Sequence, residues 1–253
     1  MSLERKLAVM IDGVSIADGC RVRFRGEAEL SLYPDLMTAG ILNLAEQGYH
    51  LIRQGGDVAV VCGGSLLAAG KVQDVTRETR AEGVWTVIGF SMGMDLWEAV
   101  VSVAVRAGAA VSETAEQLLE ASGTGWKLLS FPGADPVYPR GQAFFGRAAE
   151  AVETALTAAR ARACLVPSGV VVVPERPEKI EVQISEGDLT DAPVFTADCV
   201  VMSTIMVGWP IGRRMEMVYH GKVSGGVIVR QRFDADTGDG IWRTEMMAEV
   251  LNE

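Results

Sequence analysis

Four consecutive valines, Val170–Val173, follow Pro167-Ser168-Gly169. A β-branched run of this kind loses too much side-chain freedom in a helix and suits only a strand. The same constraint, in weaker form, governs much of the chain. From Lys6 to Ala81 short apolar runs are cut by glycine: Leu7–Ile11 before Asp12-Gly13, Cys20–Leu32 with alternating Val22 and Phe24, and Val58–Cys62 before Gly63-Gly64. Such runs predict strands, and the paired glycines, free to take positive φ, predict a hairpin into Leu66–Val75. Val84–Gly89 reads as a third strand beside it, and Thr38–Glu46 as a short helix or irregular connection.

The middle of the chain changes period. Ser112 stands where an N-cap would, Glu113 and Glu116 suit the positive end of a helix dipole, and Ala115, Leu118 and Leu119 form a stripe that stops at Gly123. From Gln142 to Ala163 an alanine-rich run sets Phe144, Ala148, Val152, Ala155, Leu156 and Ala159 on one face, which predicts the longest helix. Pro174–Pro193, rich in glutamate and aspartate, reads as a linker or solvated edge. Strands return over Phe195–Val207, Met215–His220, Gly226–Phe233 and Ile241–Leu251. The expectation is an α+β fold, β-dominant, with barrel-like antiparallel domains: an N-terminal β-domain over 1–95, a helical insert with a returning strand over 96–174, and a small C-terminal β-domain over 175–253.

Composition narrows the functions available. A chain of 253 residues with 49% hydrophobic and 22% charged side chains has enough apolar surface for a sizeable core. Its net charge of −10 repels a phosphate backbone, so a dedicated DNA binder is not expected. Cys20, Cys62, Cys164 and Cys199 have no CxxC spacing, and His50 and His220 are far apart, so no metal site is signalled. The apolar stretch after Lys6 is too short for a signal sequence, which implies a cytoplasmic site of synthesis and residence. Ala99–Val111 is broken by Arg106, and Ala163–Val173 by Pro167 and Gly169, so neither predicts a membrane span. No phosphate-cradling glycine motif is present, and no cofactor is expected.

One motif carries a catalytic alternative. Gly89-Phe90-Ser91-Met92-Gly93 fits the G-x-S-x-G nucleophile elbow, follows a predicted strand and precedes Met94–Val105, which can be read as a helix. Asp188, Asp191 or Asp198 followed by His220 supplies the acid-then-histidine order of such hydrolases. Against this, the residues before Ser91 read as hairpins, whereas a hydrolase needs parallel βα units. The competing reading makes Ser91 an ordinary turn hydroxyl.

A resemblance runs across nearly the whole chain. Ile11-Asp12-Gly13, Asp95-Leu96-Trp97, Gly108-Ala109, Ser112-Glu113-Thr114 and Ser122-Gly123-Thr124-Gly125 come in this order, followed by Arg140–Arg147, Val207–Gly212 and Asp239–Glu245. Together they resemble the baseplate hub or late-control tail proteins of bacteriophages. The resemblance implies a structural protein without catalytic, cofactor or metal residues. It implies assembly as a ring, most simply of three copies, that joins the tail tube to the tip spike in a virion tail built in the bacterial cytoplasm. Its partners would be tube and spike proteins, with no stable nucleic-acid binding and no membrane insertion by this chain alone. The acidic stretches Glu175–Asp191 and Asp234–Asp239 would then face the channel, and the basic group Arg213, Arg214, Lys222, Arg230 and Arg232 a partner. Trp97, Trp209 and Trp242 are expected to pack rather than stack on ligands, and Val170–Val173 to leave an edge for a neighbouring subunit.

Overall fold

A computed structural model describes residues 6–131, 133–205 and 211–251. Its first third is antiparallel. β1 (Leu7–Ile11) turns at Asp12-Gly13 into β2 (Val14–Ser15), and β3 (Val22–Glu29) and β4 (Asp35–Leu42) precede the short helix α1 (Glu46–Leu51). β5 (Asp57–Cys62) turns at Gly63-Gly64, both at positive φ, into the long β6 (Ser65–Arg80), which pairs in turn with β7 (Gly83–Met92). The expected hairpin is therefore present. Thr38–Leu42, however, is strand: β4 lies between β3 and β7, and Gly40 serves by leaving room for the Trp85 ring, which stands 3.3 Å from where a Cβ would be.

The insert follows: α2 (Met94–Glu98), β8 (Val100–Val105), α3 (Val111–Ser122), β9 (Leu128–Ser130), β10 (Gln142–Arg147), α4 (Ala148–Thr157), β11 (Ala161–Val166) and β12 (Gly169–Pro174). In α3, Val111, Thr114, Ala115, Leu118 and Leu119 are buried at helical spacing, and Gly123 ends the helix in the left-handed conformation. Ala110, not Ser112, is its N-cap. The Ser112 N–H instead donates to the Asp135 carboxylate at 3.0 Å, so a residue from the following loop satisfies the helix end. Two expectations fail here. Met94–Val105 is a five-residue helix and then a strand, and Gln142–Ala163 is strand, helix and strand. Gly146, at φ 126°, takes a conformation no helix accommodates, and Arg147 is extended as the N-cap of α4.

The last third comprises β13 (Ile180–Ile184), a 3-10 turn at Glu186–Asp188, β14 (Val194–Phe195), β15 (Cys199–Thr204), β16 (Arg214–Tyr219), β17 (Lys222–Asp236) and β18 (Ile241–Val250). Pro174–Pro193 is thus not a plain linker: Val182 and Ile184 of β13 are buried, and β13 runs parallel to β16. Among the described residues, one thirteen-stranded sheet runs from β14 through β15, β18, β17, β3, β4, β7, β6, β5 and β1 to β2, with β16 and β13 branching from β17. The β17–β3 ladder, Arg230 opposite Glu29 through Asp236 opposite Arg23, carries hydrogen bonding from the last third directly into the first.

Two cores result. One, between the N-terminal strands and the insert, contains Phe24, Phe90, Leu96, Leu118 and Val152; the other, under the C-terminal strands, contains Val200, Met202, Met215, Met217 and Met246. The fold is α+β with strand dominant, as expected. Among the described residues no helix is long and apolar enough to cross a membrane.

Candidate functional site

Ser91 lies inside β7, paired with Leu36 of β4 on one side and Lys71 of β6 on the other. The strand runs on to Met92 before Gly93, at φ 83°, admits α2, so the sharp strand-to-helix elbow does not form at the serine. Its side chain is 1% exposed, and its Oγ accepts a hydrogen bond from Gln73 Nε2 at 2.9 Å. A side chain at Gly89 would strike the Asp74 carboxylate of β6, and one at Gly93 would strike Leu165. These glycines therefore explain the motif's spacing by close packing.

The proposed partners are elsewhere. His220 and Gly221 both have positive φ and form the turn of the β16–β17 hairpin, as a two-residue type I′ connection requires. The His220 imidazole pairs with Glu186 at 3.2 Å. Asp188 accepts from the side chain and then the backbone N–H of Ser185, and these bonds lower its pKa. Asp191 pairs with Arg243 at 3.1 Å, while Asp198 is exposed beside β14. His50 pairs with Glu46 at 3.5 Å. No triad is assembled among these residues, and His220 serves the hairpin turn instead. Among the described residues no group of three or more His, Cys, Asp or Glu side chains is placed to hold a metal.

Beside Ser91 a cleft of about 470 Å³ opens between β5–β7 and the insert. Its charged groups are engaged with neighbours: Asp57 with Lys71 at 2.6 Å, and Asp95 with the Trp126 indole N–H at 2.9 Å. These pairs tie the walls of the cleft to one another.

Among the described residues a dense charge cluster joins β3 to β17, and its signal in the sequence is the alternation of Arg21, Arg23 and Arg25. Arg21, Arg23 and Arg25 alternate into β3 and face Asp234 and Asp236 of β17. Arg21 donates to both oxygens of Asp236 at 2.8 Å, Arg23 donates to it as well, and Arg23 stacks on the Trp85 ring at 4.5 Å. Burial opposes the Asp236 charge, but the two guanidinium groups and the backbone N–H of Gly238 outweigh it and hold the carboxyl well below the usual range. The acidic stretch Asp234–Asp239 is consequently bound by arginines within the chain and is not a free negative wall.

The expected basic group is likewise dispersed. Arg213 faces Glu181, Arg214 donates to the carbonyls of Pro177 and Glu178, and Arg230 pairs with Glu27 and Glu29. Among the described residues a second buried carboxyl lies near this last group with no ion pair of its own. Asp35, at the start of β4, is driven up to about 8, first by burial and then by the charges of Glu29 and Glu27, against a backbone hydrogen bond that lowers it. Cys164 of β11, near enough to feel Asp35, is pushed up to about 12, chiefly by burial.

Trp242 is buried, as expected of a packing residue. Trp97 is only partly so: Tyr33 lies 4.5 Å from its ring and the Arg147 guanidinium 4.4 Å above it. Trp209 lies outside the described residues.

Trp97 borders an open surface. Among the described residues β8 and β10 form an isolated two-stranded ribbon with Arg147 opposite Val100 and Phe145 opposite Ser102. Alternation buries Val101 and Phe144 and turns Val100, Phe145 and Arg147 outward. Phe145 is 83% exposed and Val100 66%. Exposed aromatic surface next to unpaired strand edges is suited to contact with another protein, not to chemistry.

No known family profile matches the sequence, and no curated protein matches it. Solved structures do match. The tail protein from Neisseria meningitidis superimposes with a TM-score of 0.70 at 12% identity, over 96% of this chain and 95% of that one. The 43 kDa tail protein of prophage MuSo2 from Shewanella oneidensis gives 0.68 at 11%, over 96% and 97%. The E. coli c3393 protein, a type VI secretion component with structural similarity to the T4 tail proteins gp27 and gp5, gives 0.67 at 9%, over 97% and 77%. At such identities the likeness concerns the fold alone, and the fold of this chain is that of these tail and type VI secretion proteins.

Proposed function

We propose that this chain is a structural hub protein of a phage tail or a tail-derived injection machine, assembling as a ring of three copies that joins the tail tube to the tip spike. The observation that carries the reading is the extent of the structural likeness: three tail or secretion-tail proteins match over nearly all of the chain, insert included. The likeness of one of them to gp27 and gp5 supports a position between tube and spike. In this reading the segments 1–95, 96–174 and 175–253 are its N-terminal β-domain, helical insert with returning strand and C-terminal β-domain.

No catalysis belongs to this function, and the buried, strand-bound Ser91 supports that. A negative net charge agrees with a ring that passes a polyanion without holding it. Electron microscopy of purified tails tests the proposal directly: a ring of three copies at the tube–spike junction is expected, and a single copy, or a position elsewhere in the tail, would overturn it. Gel-shift measurement on the assembled ring is expected to show no tight, salt-sensitive DNA binding.

A further inference from the structure

The ring reading leaves open which surfaces meet, and two features of this chain complement each other. The first is the outward face of the β8–β10 ribbon, with Val100 and Phe145 at its centre. Among the described residues each of its strands pairs only with the other, so both outer edges carry unused backbone donors and acceptors. The exposed charges around it have a small basic excess: Arg147 on the face itself, and Arg106 and Arg140 at its far end, against Glu98 and Glu150.

The second feature stands at the end of the thirteen-stranded sheet. β14 is the terminal strand, paired only with β15 among the described residues, and its Val194 and Phe195 are 60% and 49% exposed. The surrounding charges are mainly acidic. Asp198 follows it, Asp191, which also pairs with Arg243, precedes it, and Asp188 lies in the 3-10 turn earlier in the chain, where Glu186 pairs with His220. An apolar edge within a mainly acidic border is the chemical counterpart of an apolar ribbon with a basic excess.

Resting on the ring reading, we propose that the β8–β10 ribbon of one copy docks on the β14 edge of a second copy, with Phe145 and Val100 covering Val194 and Phe195. The ribbon flanks the core shared with the N-terminal strands, and β14 extends from the C-terminal core. The contact therefore joins two different surfaces, head to tail. Heterologous contacts of this type close into rings when the rotation per subunit allows it. Two surfaces that would be liabilities on a monomer are each accounted for by the same partner.

The full chain tests this through Phe145→Asp and Val194→Asp. Both side chains are exposed, so each variant should keep the wild-type near-ultraviolet circular dichroism and melting curve. By analytical ultracentrifugation each variant alone is expected to sediment as a monomer at concentrations where the wild type forms its ring. An equimolar mixture is expected to yield a dimer and nothing larger, because one intact ribbon still meets one intact edge. Two misfolded chains would not give that dimer. Variants that assemble like the wild type would overturn the proposal and leave the ring reading standing. Assembly retained by Phe145→Asp with loss of a tube or spike protein from the tails would give the ribbon to that protein and overturn the proposal. A wild-type chain present as a single copy in purified tails would overturn the ring reading itself.

Discussion

β12 and the β8–β10 ribbon are both apolar strand segments of the insert, and they meet opposite fates. Val170–Val173 carries the strongest strand signal in the sequence and looks as if it must offer an edge to a neighbour. It is instead the middle strand of three: β11 pairs along its whole length, β9 takes part of the other side, and Val170 and Val172 are buried. The ribbon carries a weaker signal, and its Gln142–Arg147 half reads as helix, yet it is the segment left open. Apolar content thus does not decide which strand is available for assembly; the number of neighbours supplied by the rest of the chain does.

The sharpest test of this contrast places a carboxylate at the centre of β12. Val172→Asp buries an ion with no partner in a strand whose neighbours are fixed, and the expected cost is about 5 kcal/mol or more, enough to prevent soluble folding. A soluble variant with an unchanged urea midpoint would show that β12 is accessible and erase the distinction. Within the ribbon the same logic separates adjacent residues. Phe144 points inward and meets the Tyr138 ring edge-on at 6.1 Å, so Phe144→Ala should cost ~3–5 kcal/mol in urea unfolding.

A smaller effect belongs to the buried side of β11, the strand that covers β12. Asp35 acts on Cys164 there, and its folded pKa of about 8 lies well above the ordinary aspartate value of 3.8. The folded state therefore binds the proton more tightly than the unfolded one. Its stabilising contribution is complete below the unfolded pKa, declines as pH rises, and is lost once pH passes the folded value. Asp35→Asn should flatten that decline by an amount on the order of a couple of kcal/mol, leaving the variant more stable than the wild type above about pH 8. Parallel stability–pH curves for the two proteins would show that Asp35 is not the group responsible.

Much of this organisation can be read from the chain, and the failures have identifiable causes. Glycine at positive φ marks the β5–β6 turn at Gly63-Gly64 and the end of α3 at Gly123, because few other residues accept those angles. β13 is hidden by composition: Glu181 and Gln183 face outward and give Ile180–Ile184 the look of a linker, while Val182 and Ile184 carry the alternation inward. Phe144 to Ala159 keeps a helical period through Gly146, so the pattern alone spans a strand–helix boundary that one backbone conformation enforces. Ser91 shows the converse failure. Its glycine spacing comes from the close approach of β7 to β6 and to Leu165, which a motif defined by residue type does not distinguish from an elbow. The ribbon surface was beyond reach from the sequence for the same reason as β10 itself: in a helix Phe144 and Phe145 sit about 100° apart, and only strand geometry sends them to opposite faces.

That last point yields the smallest expected effect and the most specific. If Phe145 is held by nothing in its own chain, then Phe145→Ala should change the unfolding free energy of the monomer by less than about 0.5 kcal/mol, the range of surface substitutions away from caps, cores and buried charges. Its neighbour Phe144 provides the internal control, since the two substitutions remove the same side chain from the same strand. A cost for Phe145→Ala approaching that of Phe144→Ala would mean that the ring is packed within the monomer, and the ribbon would then be closed in the same sense as β12. A near-zero cost in urea unfolding would place the selective reason for an exposed phenylalanine outside the folded monomer, since an apolar ring in water contributes nothing to solubility and increases the risk of non-specific association.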